Sequence, residues 1–270
     1  MIWTEEMIKK LYEYYPNNGS YFVSNMLNID IKKIRSKVSK LGLTISNVRK
    51  HQKRGHYKKN YNVMDITDYM NNTNSYILGI LWTDGYIVEN DNMIGISLIK
   101  EDMDEIEWMF NLTGKWHAYD RKRDSRKITR MLTTYNPILL NSLMSLDFKL
   151  KSKLSPHKIW NMLNDIQRKY FFRGIIDGDG CFYYNPKLGI RNFIISSTYD
   201  QNWNLYENIF NKLNCKYSIQ RIIRKNGNKS SCIRITSKSD INRLINWVYD
   251  DYEIDNIGLK RKFIKSNEMK

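Results

Sequence analysis

Two aspartates, each set between an apolar stretch and a glycine, are the side chains of this sequence best suited to chemistry. Asp84 lies in ILGILWTDG (77–85) and Asp179 lies in FRGIIDGDG (172–180), two stretches offset by 95 residues in which Gly, Ile, Asp and Gly recur at the same places. A duplicated unit would bring the two carboxylates together at one axis. Two neighbouring negative charges are costly without a cation, and carboxylate oxygens are ligands that Mg²⁺ prefers. Next to phosphodiesters the same ion activates water and stabilises the leaving oxygen. The pair therefore predicts a Mg²⁺-dependent hydrolytic centre able to act on both strands of a duplex.

Two simpler interpretations of these aspartates compete with a metal centre. A single Asp-Gly is ordinary turn chemistry, whereas its repetition favours a metal site. The segment Asp177-x-Asp179-Gly180 also resembles the start of a calcium loop. An EF-hand loop aligned on that glycine needs an oxygen ligand at its first position and Glu at its twelfth, where this chain has Ile175 and Pro186. The EF-hand interpretation therefore fails.

Small residues recur four apart within each stretch, at Gly79 and Thr83 and at Gly174 and Gly178. On a helix this spacing gives a narrow stripe of low relief, through which two backbones can approach closely. We expect the two motif helices to pack against each other along these stripes.

Gly85 and Gly180 follow the two aspartates, at positions where helices commonly end in a left-handed residue. We expect both glycines to adopt that conformation and to end the motif helices. Asp84 and Asp179 would then lie in the last helical turns, where the macrodipole is already negative. The predicted metal site comprises Asp84, Asp179, Gly85 and Gly180.

The composition favours a polyanionic partner. The 270 residues carry a net charge of +16, and 41% of them are hydrophobic, so the chain can bury a sizeable core and is not disordered. No apolar run approaches the roughly 18 residues of a membrane span, and the acidic start Glu5-Glu6 is unlike a secretory n-region. We expect a soluble, intracellular, non-secreted protein that binds nucleic acid and not membrane.

The cysteines and histidines give no zinc or disulfide pattern. Three cysteines are widely spaced without a CxxC pair, and four histidines form no HExxH. A zinc hydrolase and an HNH-type nuclease are therefore not expected.

The chain divides into four predicted segments: a helical unit at 1–45, a basic linker at 46–68 and two repeats at 69–155 and 156–270. Each repeat follows the order α-β-β-α-β-β-α, which predicts an α+β fold of two pseudo-symmetric subdomains packed through their motif helices. The elements of the first repeat are expected near 73–84, 86–89, 93–100, 102–112, 115–121, 128–135 and 137–146. Those of the second are expected near 166–179, 181–185, 191–198, 200–213, 216–224, 231–237 and 239–249.

The N-terminal unit is predicted to hold three helices, the first ended by Pro16 and Gly19, the third capped by Asp30 and stopped by Gly42. The third helix turns cations outward, as in a helix-turn-helix domain whose last helix enters the major groove. A solvated face on a generic three-helix bundle is the alternative. The expected DNA contacts of this helix and of the linker are Lys33, Arg35, Lys37, Arg49, Lys53 and Arg54.

These two motifs, their spacing and the element order resemble the LAGLIDADG homing endonucleases, in the single-chain form with two motifs. The resemblance covers roughly residues 70–265. It implies a pseudo-twofold nuclease whose two antiparallel sheets form a saddle in the major groove, over a long asymmetric target. It further implies cleavage of both strands with Mg²⁺ or another divalent cation such as Mn²⁺, bound by Asp84 and Asp179.

Two positions depart from the family's motif. Trp82 stands where an acidic residue is common, and Arg173 stands where Ala is common. Both positions concern helix packing and leave the two acidic residues in place.

The resemblance also implies a basic residue near each scissile phosphate. The segments 148–153 and 258–262 look like the stretches that supply it, and we assign Lys151 and Lys260 to this role. Lysines that only contact phosphate remain the alternative.

Basic residues cluster between the third and fourth strands of each repeat, as a two-lobed saddle on DNA predicts. They are Arg121, Arg123, Arg126, Lys127 and Arg130 in the first repeat, and Arg221, Arg224, Lys225, Lys229 and Arg234 in the second. We predict a site-specific endonuclease that acts on duplex DNA as a monomeric pseudo-dimer. The alternatives are an intron RNA maturase and a non-cleaving DNA-binding regulator on the same scaffold.

Overall fold

A computed structural model describes residues 3–44, 70–122 and 127–270, and the chain forms two compact units, residues 1–59 and 60–270. The predicted linker at 46–68, with Arg49, Lys53 and Arg54, lies outside the described residues. Arg123 and Arg126 of the first basic cluster also lie outside them.

The first unit is helical. Helix α1 (Glu5–Leu27) is interrupted at Gly19, whose backbone is non-helical with φ 72° and ψ −177°. The expected break at Gly19 is thus confirmed, whereas Pro16 lies inside the helix and does not end it, because the chain leaves helical geometry only three residues later. Helix α2 (Ile31–Lys40) begins where the Asp30 side chain accepts a 2.8 Å hydrogen bond from the Lys32 backbone nitrogen. The small core of this unit contains Leu11, Tyr15, Val23, Ile29, Ile34 and Val38.

The second unit contains two copies of the same element order. The first copy consists of α3 (Asn72–Asp84), β1 (Gly85–Val88), β2 (Met93–Ile99), α4 (Lys100–Leu112), β3 (His117–Arg121), β4 (Thr129–Thr134) and α5 (Pro137–Ser145). The second consists of α7 (Asp165–Asp179), β5 (Gly180–Asn185), β6 (Ile190–Thr198), α8 (Asn204–Lys212), β7 (Ser218–Ile223), β8 (Lys229–Ile235) and α9 (Lys238–Tyr249). The remaining helices are α6 (His157–Met162), α10 (Tyr252–Asp255) and α11 (Lys260–Asn267). The predicted α-β-β-α-β-β-α repeat is confirmed in both copies.

Each copy builds one four-stranded antiparallel sheet. The strand orders are β1-β2-β4-β3 and β5-β6-β8-β7, so the two sheets have identical topology. In β2 the buried Ile94 and Ile96 face the helices, and in β6 Phe193 and Ile195 do the same. One core joins both halves, which makes the second unit a single α+β body.

The expected close packing of the motif helices is confirmed at the crossing of α3 and α7. A Cβ atom added to Gly79 would lie 2.1 Å from the Phe171 carbonyl oxygen and 3.0 Å from the Cα of Gly174. A Cβ on Gly174 would lie 2.4 Å from the Tyr76 carbonyl oxygen. Only glycine permits this separation, because any side chain would force the backbones apart. Within the described part of the chain, no helix is both long and apolar enough to span a bilayer.

Candidate active site

Asp84 and Asp179 are the last residues of α3 and α7, on either side of the crossing. A Cβ on Gly178 would lie 2.5 Å from Asp84 Oδ2 and 2.0 Å from Thr83 Oγ1, so the Asp84 carboxylate contacts the turn that carries Asp179. The Thr83 hydroxyl lies 2.9 Å from the Ile80 carbonyl oxygen and 3.1 Å from Asp84 Oδ2. Asp84 is half-buried and Asp179 is exposed. The two repeats therefore bring their equivalent carboxylates to one spot at the surface.

The glycines that follow the aspartates do not adopt the left-handed conformation expected of them. Gly85 has φ −72° and ψ 156°, and Gly180 has φ −73° and ψ 140°, so both are extended and begin strands β1 and β5. Lack of space is what excludes a side chain here. A Cβ would lie 2.5 Å from the carbonyl oxygen of Leu81 in one copy and of Ile176 in the other. Each glycine lets the chain turn from helix to strand directly against the preceding helical turn.

Two lysines occupy equivalent places at the ends of the motif helices. The Lys151 ammonium donates to the Thr83 carbonyl oxygen at 2.8 Å and to the carbonyl oxygen of Gly85. The Lys262 ammonium donates to the carbonyl oxygen of Gly180, which is the counterpart of Gly85. Each lysine thus binds the last carbonyl groups of one motif helix, where the macrodipole favours a cation.

The structure places Lys262, and not Lys260, at the second of these positions. Lys260 is exposed, and its backbone nitrogen donates to Glu105 at 2.9 Å. Lys262 is 8% exposed and lies two residues further along α11, which turns it about 200° around the helix. The assignment of Lys260 to a scissile phosphate stays a prediction, but in this structure Lys262 is the lysine of the segment 258–262 that lies beside the motif helix. Lys262 and Ser266 are four residues apart and are both buried on α11.

The carboxyl groups are partly desolvated. Burial raises the pKa of Asp179 to about 6, and the neighbouring charge of Asp84 adds to the rise, while Lys151 and Lys262 oppose it. Asp179 is accessible to water but is surrounded closely enough by protein to lose much of its hydration. Burial also raises the pKa of Asp84, against the hydrogen bond from Thr83 and the charge of Lys151. The pair is therefore electrostatically strained when both groups are ionised.

The lysines respond to the same environment in the opposite direction. Burial lowers the pKa of Lys151 to about 8, although the charges of Asp84 and Asp179 resist the change. Burial likewise lowers the pKa of Lys262, with Asp177 opposing it. Burial thus lowers the pKa of both lysines below that of a solvated lysine, to about 8 for Lys151.

The donor set fits a hard divalent cation. Asp84 and Asp179 offer carboxylate oxygens at one place, and their ionised forms need a nearby positive charge. Among residues 3–44, 70–122 and 127–270, no three His, Cys, Asp or Glu side chains converge on a metal-sized site. An ion held here would take its remaining ligands from water, backbone oxygens or a bound phosphate.

Asp177, two residues before Asp179, belongs to a buried network that no sequence pattern indicates. Its side chain is 1% exposed and accepts hydrogen bonds from the Tyr76 hydroxyl at 2.9 Å, the Tyr249 hydroxyl at 2.5 Å and the Leu259 backbone nitrogen at 2.7 Å. Tyr76 belongs to α3, whereas Leu259 directly precedes α11. Asp177 thus ties the helix crossing to the start of the helix that carries Lys262.

Arg173 completes this network from the preceding turn of α7. The side chain is fully buried, and it donates to the carbonyl oxygens of Val248 at 2.8 Å and Ile257 at 2.7 Å. It also pairs with the carboxylates of Asp251 and Asp255. The departure from Ala at this motif position therefore fastens the segment between α9 and α11.

The predicted basic clusters are not equivalent in space. Arg130 forms ion pairs with Asp104 at 2.6 Å and Glu107 at 3.1 Å, both on α4, and with Asp120 of the neighbouring strand β3 at 2.7 Å. Its side chain is thus occupied by carboxylates in this structure, while its expected contact with DNA stays a prediction. The two sheets have matching registers, in which Leu132 corresponds to Ile233, so Arg130 corresponds to Ser231 and not to Arg234.

Arg234 lies on the sheet face opposite to the buried Ile233 and Ile235. One guanidinium nitrogen donates to Gln220 Oε1 at 3.1 Å, while its Nε has no hydrogen-bond partner. The other described members of the two clusters are exposed, and they are Arg121, Lys127, Arg221, Arg224, Lys225 and Lys229. Arg234 therefore lies on a sheet face turned away from the helices.

The predicted DNA contacts of the first unit also separate. Lys33 and Lys37 line one groove of that unit, whereas Arg35 donates to the Ser20 hydroxyl at 3.3 Å. Lys33, Lys37 and Arg35 therefore do not form one continuous surface.

No protein-family model matches the chain, and no curated protein sequence matches it. Solved structures of similar fold include the I-SmaMI LAGLIDADG homing endonuclease bound to cleaved DNA, at 13% identity and a TM-score of 0.44, covering 73% of this chain and 87% of that one. I-DmoI in complex with DNA and Ca matches at 12% identity and a TM-score of 0.43, covering 68% and 91%. Full-length DUF199/WhiA from Thermatoga maritima matches at 16% identity and a TM-score of 0.46, covering 76% and 63%.

Proposed function

We propose that this chain is a site-specific DNA endonuclease that hydrolyses one phosphodiester in each strand of a duplex. The observation that carries the proposal is that equivalent residues of the two repeats meet each other. Gly79 packs on Gly174, and Asp84 lies beside the turn of Asp179. An approximate twofold axis therefore passes between α3 and α7, and the two strands of a DNA duplex are related by the same kind of axis.

Asp84 and Asp179 are proposed to hold one or more divalent cations, Mg²⁺ or Mn²⁺. Such an ion supplies Lewis acidity that activates water and stabilises the leaving oxygen. The carboxylates bind it in their ionised form, and its charge would relieve the repulsion that raises the pKa of Asp179.

Lys151 and Lys262 are proposed to serve the two scissile phosphates. Each ammonium is anchored at the carbonyl end of a motif helix, beside one carboxylate. An ammonium group in this place stabilises negative charge that grows on the phosphate oxygens during hydrolysis. The lowered pKa of Lys151, about 8, also allows it to exchange a proton near neutral pH.

The target is proposed to be asymmetric, because the two sheets present different side chains. Arg234 faces away from the core of its sheet, whereas Arg130 of the first sheet is held by three carboxylates. The exposed Tyr119 and Tyr183 add aromatic surface on the two sheets. Two unlike faces would favour two unlike half-sites.

Cleavage of a randomised DNA library by the full chain in Mg²⁺ tests the proposal and identifies the site. Asp84→Asn and Asp179→Asn keep the shape of each side chain and remove its charge, so we expect each variant to lose double-strand cutting while still binding the site in EDTA. Asp200→Asn, at an exposed aspartate, is the matched control and should cut normally. Full double-strand cutting by either motif variant would exclude the proposed centre. Tight binding without nicking by the parent chain would favour a regulator, and preferential binding of intron RNA would favour a maturase.

A further inference from the structure

The first unit carries a groove of about 480 Å³ between its N-terminal segment and helix α2. It is lined by Trp3, Lys32, Lys33, Ser36, Lys37 and Lys40. Every side chain in it is either a cation, a hydroxyl donor or the aromatic ring, and no carboxylate lines it. A groove of this chemistry suits an anion.

The lysines are arranged along one face of α2. Lys33, Lys37 and Lys40 follow helical spacing, while Ile34 and Val38 are buried in the core on the other side. From Lys33 to Lys40 the helix rises about 10 Å, at about 1.5 Å per residue. One strand of B-DNA carries a phosphate about every 3.4 Å along the axis, so this row of lysines can span about three phosphates.

The positive charge of this face is not compensated. Within the described ranges, none of the four lysines has a carboxylate at ion-pair distance, in contrast to Lys10 of α1, which lies 2.8 Å from Glu6. Lys32 and Lys33 stand in the first turn of α2, where positive charge opposes the macrodipole. A helix shaped by stability alone would favour acidic residues there. The arrangement costs stability in the free protein and is relieved by an anion.

Trp3 fixes one wall of the groove. The Lys37 ammonium lies 5.8 Å from the centroid of the Trp3 ring, within the range of a cation–π contact. This contact holds Lys37 over the groove and keeps it half-buried, while Lys33 and Lys40 are exposed. The groove is therefore partly preorganised for its ligand.

We infer that this groove binds the phosphodiester backbone of duplex DNA without reading its sequence. Lysine is a flexible point charge suited to phosphate, whereas base reading relies on Arg, Asn and Gln, which do not line the groove. Arg35, on the same helix, donates instead to Ser20. The inference rests on the proposed function for the choice of duplex DNA as the ligand. The first unit then supplies affinity and leaves target choice to the second unit.

The test is DNA binding by the full chain carrying Lys33→Gln, Lys37→Gln and Lys40→Gln together. Binding is measured by fluorescence anisotropy in EDTA, on an AT-rich and a GC-rich duplex of about 30 base pairs, between roughly 50 and 200 mM salt. We expect the slope of log K against log salt to become shallower by about three, at about one per phosphate contact, and equally for both duplexes. A triple variant at three exposed lysines outside the groove, Lys9→Gln, Lys216→Gln and Lys238→Gln, has the same net charge and should keep the parent slope.

Several outcomes would overturn the inference. An unchanged slope would exclude phosphate contacts by this face, and unequal losses on the two duplexes would indicate base reading. An equally shallow salt slope in the control variant would show that the effect comes from net charge and not from the groove. If the groove variant bound DNA as the parent does but no longer sedimented with phosphatidylserine vesicles, the groove would be assigned to a membrane surface. Gln keeps helix propensity, and circular dichroism checks that α2 still forms. The readout needs no cleavage, so a chain that binds in this way but never cuts DNA would contradict only the proposed function.

Discussion

Gly79 and Gly174 lie against each other at the crossing of α3 and α7, where a Cβ on either glycine would come within 3.0 Å of a backbone atom of the other. The two repeats therefore meet at equivalent residues, and the separation of the helices is set by the absence of side chains. That separation fixes how far apart the two helix ends, with Asp84 and Asp179, can be.

Gly79→Ala should destabilise the second unit strongly. The added Cβ would lie 2.1 Å from the Phe171 carbonyl oxygen, which is backbone and cannot rotate away. The gain in helix propensity is about 1 kcal/mol, whereas overpacking a closely fitted interface costs about 3 kcal/mol. Urea unfolding should therefore show a net loss, while Asn161→Ala at an exposed position of α6 serves as control. A variant as stable as the parent would mean that the helices are not in such close contact.

Arg173→Met should also be strongly destabilising, for an electrostatic reason. The substitution fills a similar volume but removes the buried guanidinium that pairs with Asp251 and Asp255 and donates to two backbone carbonyl groups. Breaking a buried ion pair from one side costs about 3–5 kcal/mol. The control is Lys212→Met, whose ion pair with Asp165 joins two exposed side chains and should matter by less than about 1 kcal/mol. Thermal unfolding of the two variants checks the difference, and equal melting temperatures would contradict it.

Lys262→Met should reduce cleavage, and Lys260→Met should not. Lys262 reaches the carbonyl oxygen of Gly180 beside Asp179, whereas Lys260 is exposed on α11. Loss of one group that stabilises transition-state charge typically costs about 100-fold to 1,000-fold in rate. Because Lys151 still serves the other strand, nicked circular plasmid should accumulate. Binding in EDTA verifies that both variants retain the site, and equal cleavage by the two variants would remove Lys262 from the mechanism.

Much of the fold and the meeting of the two motif aspartates could be predicted from the sequence, because the motif is repeated at a constant offset. Asp84, Asp179 and the small residues of the motif helices are related by one offset, and α3 and α7 begin and end within a residue of the predicted bounds. Outside the motif no such rule applies. The choice between Lys260 and Lys262 depends on where α11 starts, and a shift of two residues changes the side of the helix that a lysine occupies.

The remaining errors have equally local causes. Arg130 and Arg234 end the two basic clusters along the chain, but they do not occupy equivalent strand positions. Arg130 is two residues from the buried Leu132 and shares its face, whereas Arg234 is next to the buried Ile233 and lies on the open face. The conformation of Gly85 was mistaken because an Asp-Gly after a helix usually indicates a left-handed turn. Here the glycine instead begins a strand in a space that a Cβ would fill. Hydrogen bonds between distant segments, such as those of Arg173, leave no periodic signal.

Removing the charge of Asp179 should stabilise the protein when no divalent cation is present. The folded-state pKa of this carboxyl, about 6, is above its usual value of 3.8, so the folded state binds the proton more tightly than the unfolded state does. The penalty of the ionised group is therefore complete above about pH 6 and disappears as the pH falls toward 4. Asp179→Asn should raise stability in EDTA at pH 8 by up to about 1 kcal/mol, because solvent screens this exposed group, and should have no effect near pH 4. Urea unfolding at both pH values measures this change in stability, with Asp200→Asn as the control. A variant less stable than the parent at pH 8 would contradict a raised pKa of Asp179 in the folded state.

Arg130 and Arg234 should separate stability from DNA recognition. Arg130→Ala removes the cation that pairs with Glu107 and Asp120 and leaves Lys100 as the partner of Asp104, so it should lower the melting temperature. Arg234→Ala removes a guanidinium from the open sheet face and should leave the melting temperature nearly unchanged. It should instead weaken binding to the selected target by about 1–3 kcal/mol and relax the preference at one base pair. Competition binding with single-base variants of the target measures both effects, and a loss of target affinity in Arg130→Ala alone would reverse the roles given to these two arginines.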